Sequence, residues 1–236
     1  MNRFKNVLFD LDGTLLPMDE DRFVELYFGY LCRKMIPYGF DSGQLQKVFW
    51  KGVKAMYMND GTQSNEDAFW KVFTSEYGVP KEKYHDIFVE FYTTGFNQAI
   101  VGTQPSELAA KIIDICIDKN LKIILATNPL FPRVGTVNRI HWAGLNEDDF
   151  SDITTYENSH FCKPNIRYYQ EVIDRNGIDP KESIMIGNDI TEDLAASQTG
   201  MKTYLVTDFL LNKGNGKDIS DFHGSLEELY EFIKQI

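Results

Sequence analysis

The chain has 236 residues, 43% hydrophobic and 14% aromatic, which is enough for one large domain or for a core with a smaller partner domain. Its formal net charge is −11, with 35 acidic against 24 basic residues. That balance argues against a nucleic-acid or anionic-membrane surface, which needs clustered Lys and Arg, but not against small anionic substrates.

Val7–Phe9 is an apolar run that suits a buried strand of a parallel sheet, and it stops at Asp10-x-Asp12 followed by Gly13. Gly13 permits a sharp turn, so both carboxylates are expected at the carboxyl end of that strand, where open α/β sheets bind ligands. Residues i and i+2 of an extended chain point to the same side, which lets both acids face one pocket. Crowded carboxylates repel unless a cation or a shared proton relieves them.

From about Pro17 to about Gln98 the chain loses short β-branched runs and carries aromatics at helical spacing. Phe23, Leu26, Tyr27 and Tyr30 form one apolar face, and Val48, Phe49, Gly52 and Met56 a second. Ala68, Phe69, Val72 and Phe73 mark a third, and Ile87, Phe88, Phe91 and Tyr92 a fourth. Gly-Phe-Asp-Ser-Gly at 39–43 and Asn-Asp-Gly at 59–61 punctuate them, which predicts an all-helical insert. Its aromatics, Tyr27, Trp50, Trp70, Phe91 and Tyr92 among them, read first as the core of that bundle, ahead of the alternative that they stack on a nucleobase.

The pattern then alternates: helix at about 105–119, strand 122–126, helix 133–142, a weaker strand at 151–155 and helix 165–176. Strand 183–186, helix 191–199 ending at Gly200, and strand 203–207 follow, and Ser225-x-x-Glu228 makes a capping box for a last helix. Residues 212–217 read as a flexible loop. Strands alternating with helices mean βαβ units and a parallel sheet. The expected fold is therefore α/β: a Rossmann-like parallel-sheet core at 1–16 and 99–236, with an all-helical cap inserted at 17–98.

The odd, widely spaced Cys32, Cys116 and Cys162 read as reduced thiols, without a disulfide frame or zinc site. No apolar stretch approaches the ~20 residues needed to span a bilayer. The first strand begins too early to leave room for a signal peptide, so a cytoplasmic protein is expected. His85, His141, His160 and His223 show no ligand spacing.

Four segments at successive strand ends resemble the signatures of the haloacid dehalogenase superfamily, which consists largely of phosphotransferases. Phe9-Asp10-Leu11-Asp12-Gly13-Thr14-Leu15 resembles the first, and Lys122-Ile-Ile-Leu-Ala-Thr127-Asn128 the second. Cys162-Lys163-Pro164 is similar to the third, and Gly187-Asn188-Asp189-Ile-Thr-Glu192-Asp193 to the fourth. The resemblance implies an Mg²⁺-dependent phosphatase acting through an aspartyl-phosphate on a small phosphorylated metabolite. Asp10 is then the nucleophile and Asp12 the general acid–base. Thr127, Asn128 and Lys163 bind the phosphoryl group. A hard cation with oxygen ligands is needed where two anions meet, and the family implies Asp10, the Asp12 carbonyl and one acid of the fourth motif.

Two departures stand out. Many relatives read Gly-Asp where this chain reads Gly187-Asn188-Asp189, so the metal-facing place falls on Asn188 or, if the loop shifts, on Asp189. Asp189 is preferred because a carboxylate holds a hard cation better, with Asp193 supporting. Pro17-Met18 replaces a frequent Asp-Ser, which leaves the substrate open. A sugar phosphomutase is the enzymatic alternative, and a degenerate binding or regulatory module the alternative of another class. A dehalogenase has no need of Asp12. No nucleic-acid or membrane partner is expected, and the chain is expected to be a monomer or homodimer.

Overall fold

The computed structural model describes residues 4–236, so the first three residues of the expected core lie outside the described residues. Six strands form one parallel sheet: β1 (Asn6–Phe9), β2 (Lys122–Leu125), β3 (Asp152–Ile153), β4 (Ser183–Gly187), β5 (Lys202–Val206) and β6 (Phe222–Gly224), in the order β3-β2-β1-β4-β5-β6. Connections from β1 build the sheet to one side, and the chain then crosses to β4 on the other. This reversal opens a crevice at the carboxyl end of β1.

Register fixes what meets there. Phe9 pairs with Leu125 on one side and with Ile186 on the other. Asp10, Thr127 and Asn188 therefore leave three adjacent strands within a residue or two of the same level. Alternate strand residues serve opposite faces. Val7, Phe9, Ile123, Leu125, Ile184 and Ile186 pack into the larger core, while Leu8, Ile124 and Met185 face Tyr168, Tyr169 and Val172 of α7 (Ile166–Asn176).

Between β1 and β2 lie α1 (Glu20–Met35), α2 (Ser42–Tyr57), α3 (Asn65–Tyr77) and α4 (Glu82–Thr93). Asp19, Asp41 and Ser64 cap the first three by accepting from backbone N–H groups of the first turn. Their facing stripes are mostly rings, with Phe49 and Phe69 centroids 4.9 Å apart and Phe73 and Phe88 at 5.3 Å, both edge-on. Trp70 and Phe91 sit inside this cluster, as the helical spacing predicts. Trp50 does not: it is 51% exposed. The two crossings into this helical segment pair with each other, Met18 bridging Thr103 and Gln104 N–H donating to the Pro17 carbonyl at 2.7 Å.

The remaining helices are α5 (Glu107–Asp118), α6 (Arg133–Trp142) and α8 (Leu226–Gln235), the last closed by the expected box between Ser225 and Glu228. Three differences have local causes. The helix expected at 191–199 is a 3₁₀ turn at Leu194–Thr199, because the Asp189 side chain ties the Thr191 and Glu192 N–H groups into a turn first. It does end at Gly200, whose φ is +94°. The strand at 151–155 shrinks to Asp152–Ile153, and β6 is a three-residue edge strand too short to show a periodicity. A 3₁₀ segment at Gly95–Gly102 links α4 to the second crossing.

Candidate active site

Asp10 extends β1, and its backbone N–H donates to the Ile186 carbonyl at 2.8 Å. Gly13 turns the chain at φ +81°, and a methyl group there would collide with the Asn188 side chain. Glycine thus lets the first and fourth segments touch. Thr14 Oγ1 donates to Asn188 Oδ1 at 3.1 Å, and Asn188 Nδ2 donates to the Phe209 carbonyl at 2.6 Å. Gly187 plays a similar part, since a side chain there would overlap the Asp193 carboxylate.

Lys163 is 1% exposed and spans two carboxylates, with Nζ 2.8 Å from Asp10 Oδ1 and 2.6 Å from Asp193 Oδ1. Burial pulls the Lys163 ammonium down, but Asp10 and Asp193 outweigh it and hold the group well above its usual value. Burial also pushes the Asp10 carboxyl well above the carboxylate range, opposed by Lys163 and reinforced by Asp193 and Asp12. Asp193 is held on its other oxygen by the Asp189 N–H at 2.9 Å.

A cavity of about 330 Å³ opens above Asp10, and its floor carries Asp10, Asp12, Thr127, Asn128, Asn188, Asp189, Glu192 and Asp193. Seven of the eight residues singled out from sequence line it; Lys163 stands behind them and meets the floor through Asp10. Thr127 is buried, and its carbonyl accepts from Tyr168 Oη at 2.9 Å and Thr154 Oγ1 at 2.6 Å. Asn128 Nδ2 donates to Glu192 Oε2 at 2.8 Å and to Tyr57 Oη at 3.1 Å, while its Oδ1 is buried without a partner. Asp189 is half-buried; burial raises its carboxyl, and the Glu192 and Thr191 N–H groups oppose the shift. Burial pushes the neighbouring Glu192 up to about 7.

Among the described residues, no three His, Cys, Asp or Glu side chains are already drawn together as a metal cage. The donor set nonetheless fits a hard divalent cation. Asp10, Asp12, Asp189, Glu192 and Asp193 crowd the floor against the buried charges of Lys163 and Arg139, so acids outnumber bases. One oxygen of Asp12, Oδ1, is buried with no hydrogen-bond partner. Asn188 offers an amide oxygen already accepting from Thr14, and Asp189 a cavity-lining carboxylate whose Oδ1 accepts from the Thr191 and Glu192 N–H groups while Oδ2 is left for a cation.

Two features escape the motifs. Arg139 of α6 is 1% exposed; its Nη1 donates to Asp12 Oδ2, its Nε to the Gly135 carbonyl at 3.2 Å, and its guanidinium lies 4.1 Å from the Phe131 ring centre. The signal is in the sequence: Thr136, Arg139, Ile140 and Ala143 have the i, i+3, i+4, i+7 spacing of a buried face. The second is Tyr57, at the end of α2, which donates to Glu192 Oε1 at 3.1 Å and joins the helical segment to the fourth-motif loop. A lone tyrosine 135 residues away from its partner carries no sequence signal.

A family model described as Haloacid dehalogenase-like hydrolase matches residues 7–206. The chain is 25% identical to the glyceraldehyde 3-phosphate phosphatase of Methanocaldococcus jannaschii over 98% of both chains. It is 36% identical to the enzyme of the same name from Methanothermobacter thermautotrophicus over 78 residues, covering 30% of this chain and 34% of that one. The fold is similar to the crystal structure of a HAD phosphatase from Thermococcus onnurineus, with a TM-score of 0.61 and 20% identity over 98% of each chain.

Proposed function

This chain belongs to the haloacid dehalogenase-like hydrolases, and from that membership we propose that it is an Mg²⁺-dependent phosphatase working through an aspartyl-phosphate at Asp10. The observation that carries the reading is the buried Lys163, 2.8 Å from Asp10 Oδ1, beside a second carboxylate, Asp12, on the same turn. A lysine inside a protein without a charge partner is costly. Here it is placed to orient one carboxylate oxygen and to offset the charge gathering on a phosphoryl group.

The chemistry divides into two displacements. An Asp10 oxygen attacks phosphorus, the bond to the ester oxygen breaks, and Asp12 gives that oxygen a proton. Water then attacks the aspartyl-phosphate, Asp12 takes its proton, and the acyl–phosphate bond breaks to return Asp10 and inorganic phosphate. In this reading Thr127 and the loop N–H groups hold the phosphoryl oxygens, and Lys163 sustains the charge throughout. Asp10, the Asp12 carbonyl and Asp189 would hold Mg²⁺, with Asn188 and Asp193 in support. When bound, the cation screens the meeting of carboxylate and phosphate dianion.

Arg139 acts as a positioning residue in this reading. It holds one oxygen of Asp12 and leaves the other, unpartnered Oδ1 to handle the proton. The helical segment 17–98 serves as the cap, and the core is the remainder. The names of the two relatives support a small phosphate monoester as substrate. Three unpaired, buried cysteines support a reducing compartment.

The test is phosphate release from p-nitrophenyl phosphate with and without Mg²⁺, beside Asp10→Asn. Release that needs both Mg²⁺ and Asp10 is expected. Equal release by Asp10→Asn overturns the covalent route.

A further inference from the structure

We propose that the substrate is the phosphate ester of an apolar, ring-bearing alcohol, and that the cavity wall above Asp10 selects it. This deepens the phosphatase reading and rests on it.

The cavity has two unlike ends. Its floor holds the carboxylates, whereas its wall is built by Phe23, Val24, Phe28, Val53, Leu130 and Phe131. These side chains come from α1, α2 and the loop after β2, so the wall is where helical segment and sheet domain face each other. A bundle with no ligand to hold would close such a face on itself. Instead about 330 Å³ remains open, within the range of small-ligand sites.

The hydroxyls on this wall are already engaged. Tyr27 Oη and Tyr92 Oη bond each other at 2.8 Å, and burial pushes both phenols up, so they stay neutral. Tyr57 Oη is tied to Glu192 and Asn128. At the mouth, Lys213 Nζ pairs with Glu20 Oε2 at 2.5 Å. A polyol such as a triose or hexose would find few free partners here, one O–H of the Tyr27–Tyr92 pair and the unpartnered Asn128 Oδ1, so most of its hydroxyls would be desolvated and unpaired. A ring on the carbon skeleton finds the reverse: the aromatic rings of Phe23, Phe28 and Phe131, and aliphatic packing at Val24, Val53 and Leu130. Trp50, 51% exposed at the rim, can cover such a ring from outside.

The experiment compares 2-phenylethyl phosphate with glycerol 3-phosphate and glyceraldehyde 3-phosphate at saturating Mg²⁺. All three release an alkoxide on a primary carbon, and the vicinal hydroxyls make the two polyols the slightly more acidic alcohols, so leaving-group acidity cannot produce the expected ranking. The expected kcat/KM for the phenylethyl ester is at least about tenfold above both others, the scale of discrimination an apolar pocket supplies. Val53→Thr keeps the shape of the wall and adds a hydroxyl, and should cut that ratio several-fold. Release of phosphate with an equal or reversed ranking overturns the proposal and leaves the phosphatase reading standing. If no ester is hydrolysed, the phosphatase reading fails, and calorimetry with non-hydrolysable phosphonates decides the pocket. Tighter binding of 3-phenylpropylphosphonate than of 3,4-dihydroxybutylphosphonate, each the ester with its bridging oxygen replaced by CH2, sustains the apolar site; equal or weaker binding overturns it.

Discussion

Arg139 in the middle of α6 donates from its guanidinium to the carboxylate of Asp12, a partner 127 positions earlier in the chain. The arginine is almost fully buried, while the Asp12 side chain is 26% exposed and keeps one oxygen without a partner. One end of the pair is thus a fixed anchor and the other faces the cavity.

Arg139→Met should leave Asp12 unheld at a similar side-chain volume. Turnover should fall by about 10²-fold with KM changed little, because misplacing a proton-transfer group costs rate rather than binding. Arg139→Lys should recover part of kcat. A steady-state kcat and KM determination on both variants checks this, and an unchanged kcat in the methionine variant would remove the positioning role.

Asp12→Asn should discriminate between esters by their need for a proton. Alkyl phosphates must protonate the departing oxygen, whereas p-nitrophenolate leaves without help. The first displacement should slow by ~10²–10⁴-fold for an alkyl ester and far less for p-nitrophenyl phosphate. Rapid-quench measurement of alcohol release reads the two directly.

Asp10→Asn and Lys163→Met should separate in stability. The folded protein holds the Asp10 carboxyl well above its usual range. The penalty for ionising it therefore develops as pH rises from the unfolded value toward the folded one, and above both the charged form opposes folding. Asp10→Asn removes that penalty and should be at least as stable as the parent in urea at pH 8, while turnover falls on the order of 10⁴-fold or more. Lys163→Met instead strands Asp10 and Asp193 without their shared cation, and should lose ~3–5 kcal/mol. A lysine variant as stable as the asparagine one would contradict the clamp.

Chelation with EDTA should abolish turnover, and added Mg²⁺ should restore it, since the acid-rich floor needs a cation before a phosphate dianion can approach. Undiminished activity in metal-free buffer would exclude the metal.

The thiols give a check independent of catalysis. Cys32, Cys116 and Cys162 are all buried and unpaired, and burial pushes Cys116 up to about 12. Ellman's reagent should react with them slowly in the native protein and with all three in guanidinium. Fast reaction of a native thiol would mean that its element opens readily.

Much of this molecule is legible in one dimension wherever a local rule governs. An apolar run broken by Asp10-x-Asp12-Gly13 states a strand end, and Ser225 with Glu228 states a helix start. The α2 stripe Val48, Phe49, Gly52 and Met56 is buried in full. In α1 the face is rotated instead: Leu26 is only partly buried, while Phe28, Leu31 and Met35 are inside. Periodicity gives a face, but the partner that covers it decides its centre.

By itself the sequence determined the parallel α/β plan, the order of the four motif segments and the helical segment between the first two strands, because each follows from local periodicity and turn chemistry. The motif segments already named most of the cleft's floor, but only tertiary structure decided how those groups meet and what else joins them. Sheet register brought Asp10, Thr127 and Asn188 to one level, and the close approach allowed by Gly13 and Gly187 set Asn188 and Asp193 beside them. It also paired Arg139 with Asp12 and turned Tyr27, Tyr92 and Trp50, all written as bundle aromatics, toward a cavity. The physical reason is that charge pairing and packing act through space over a few ångströms, whatever the separation along the chain, while a sequence pattern reports only the few residues that one helical turn or one strand pleat brings together.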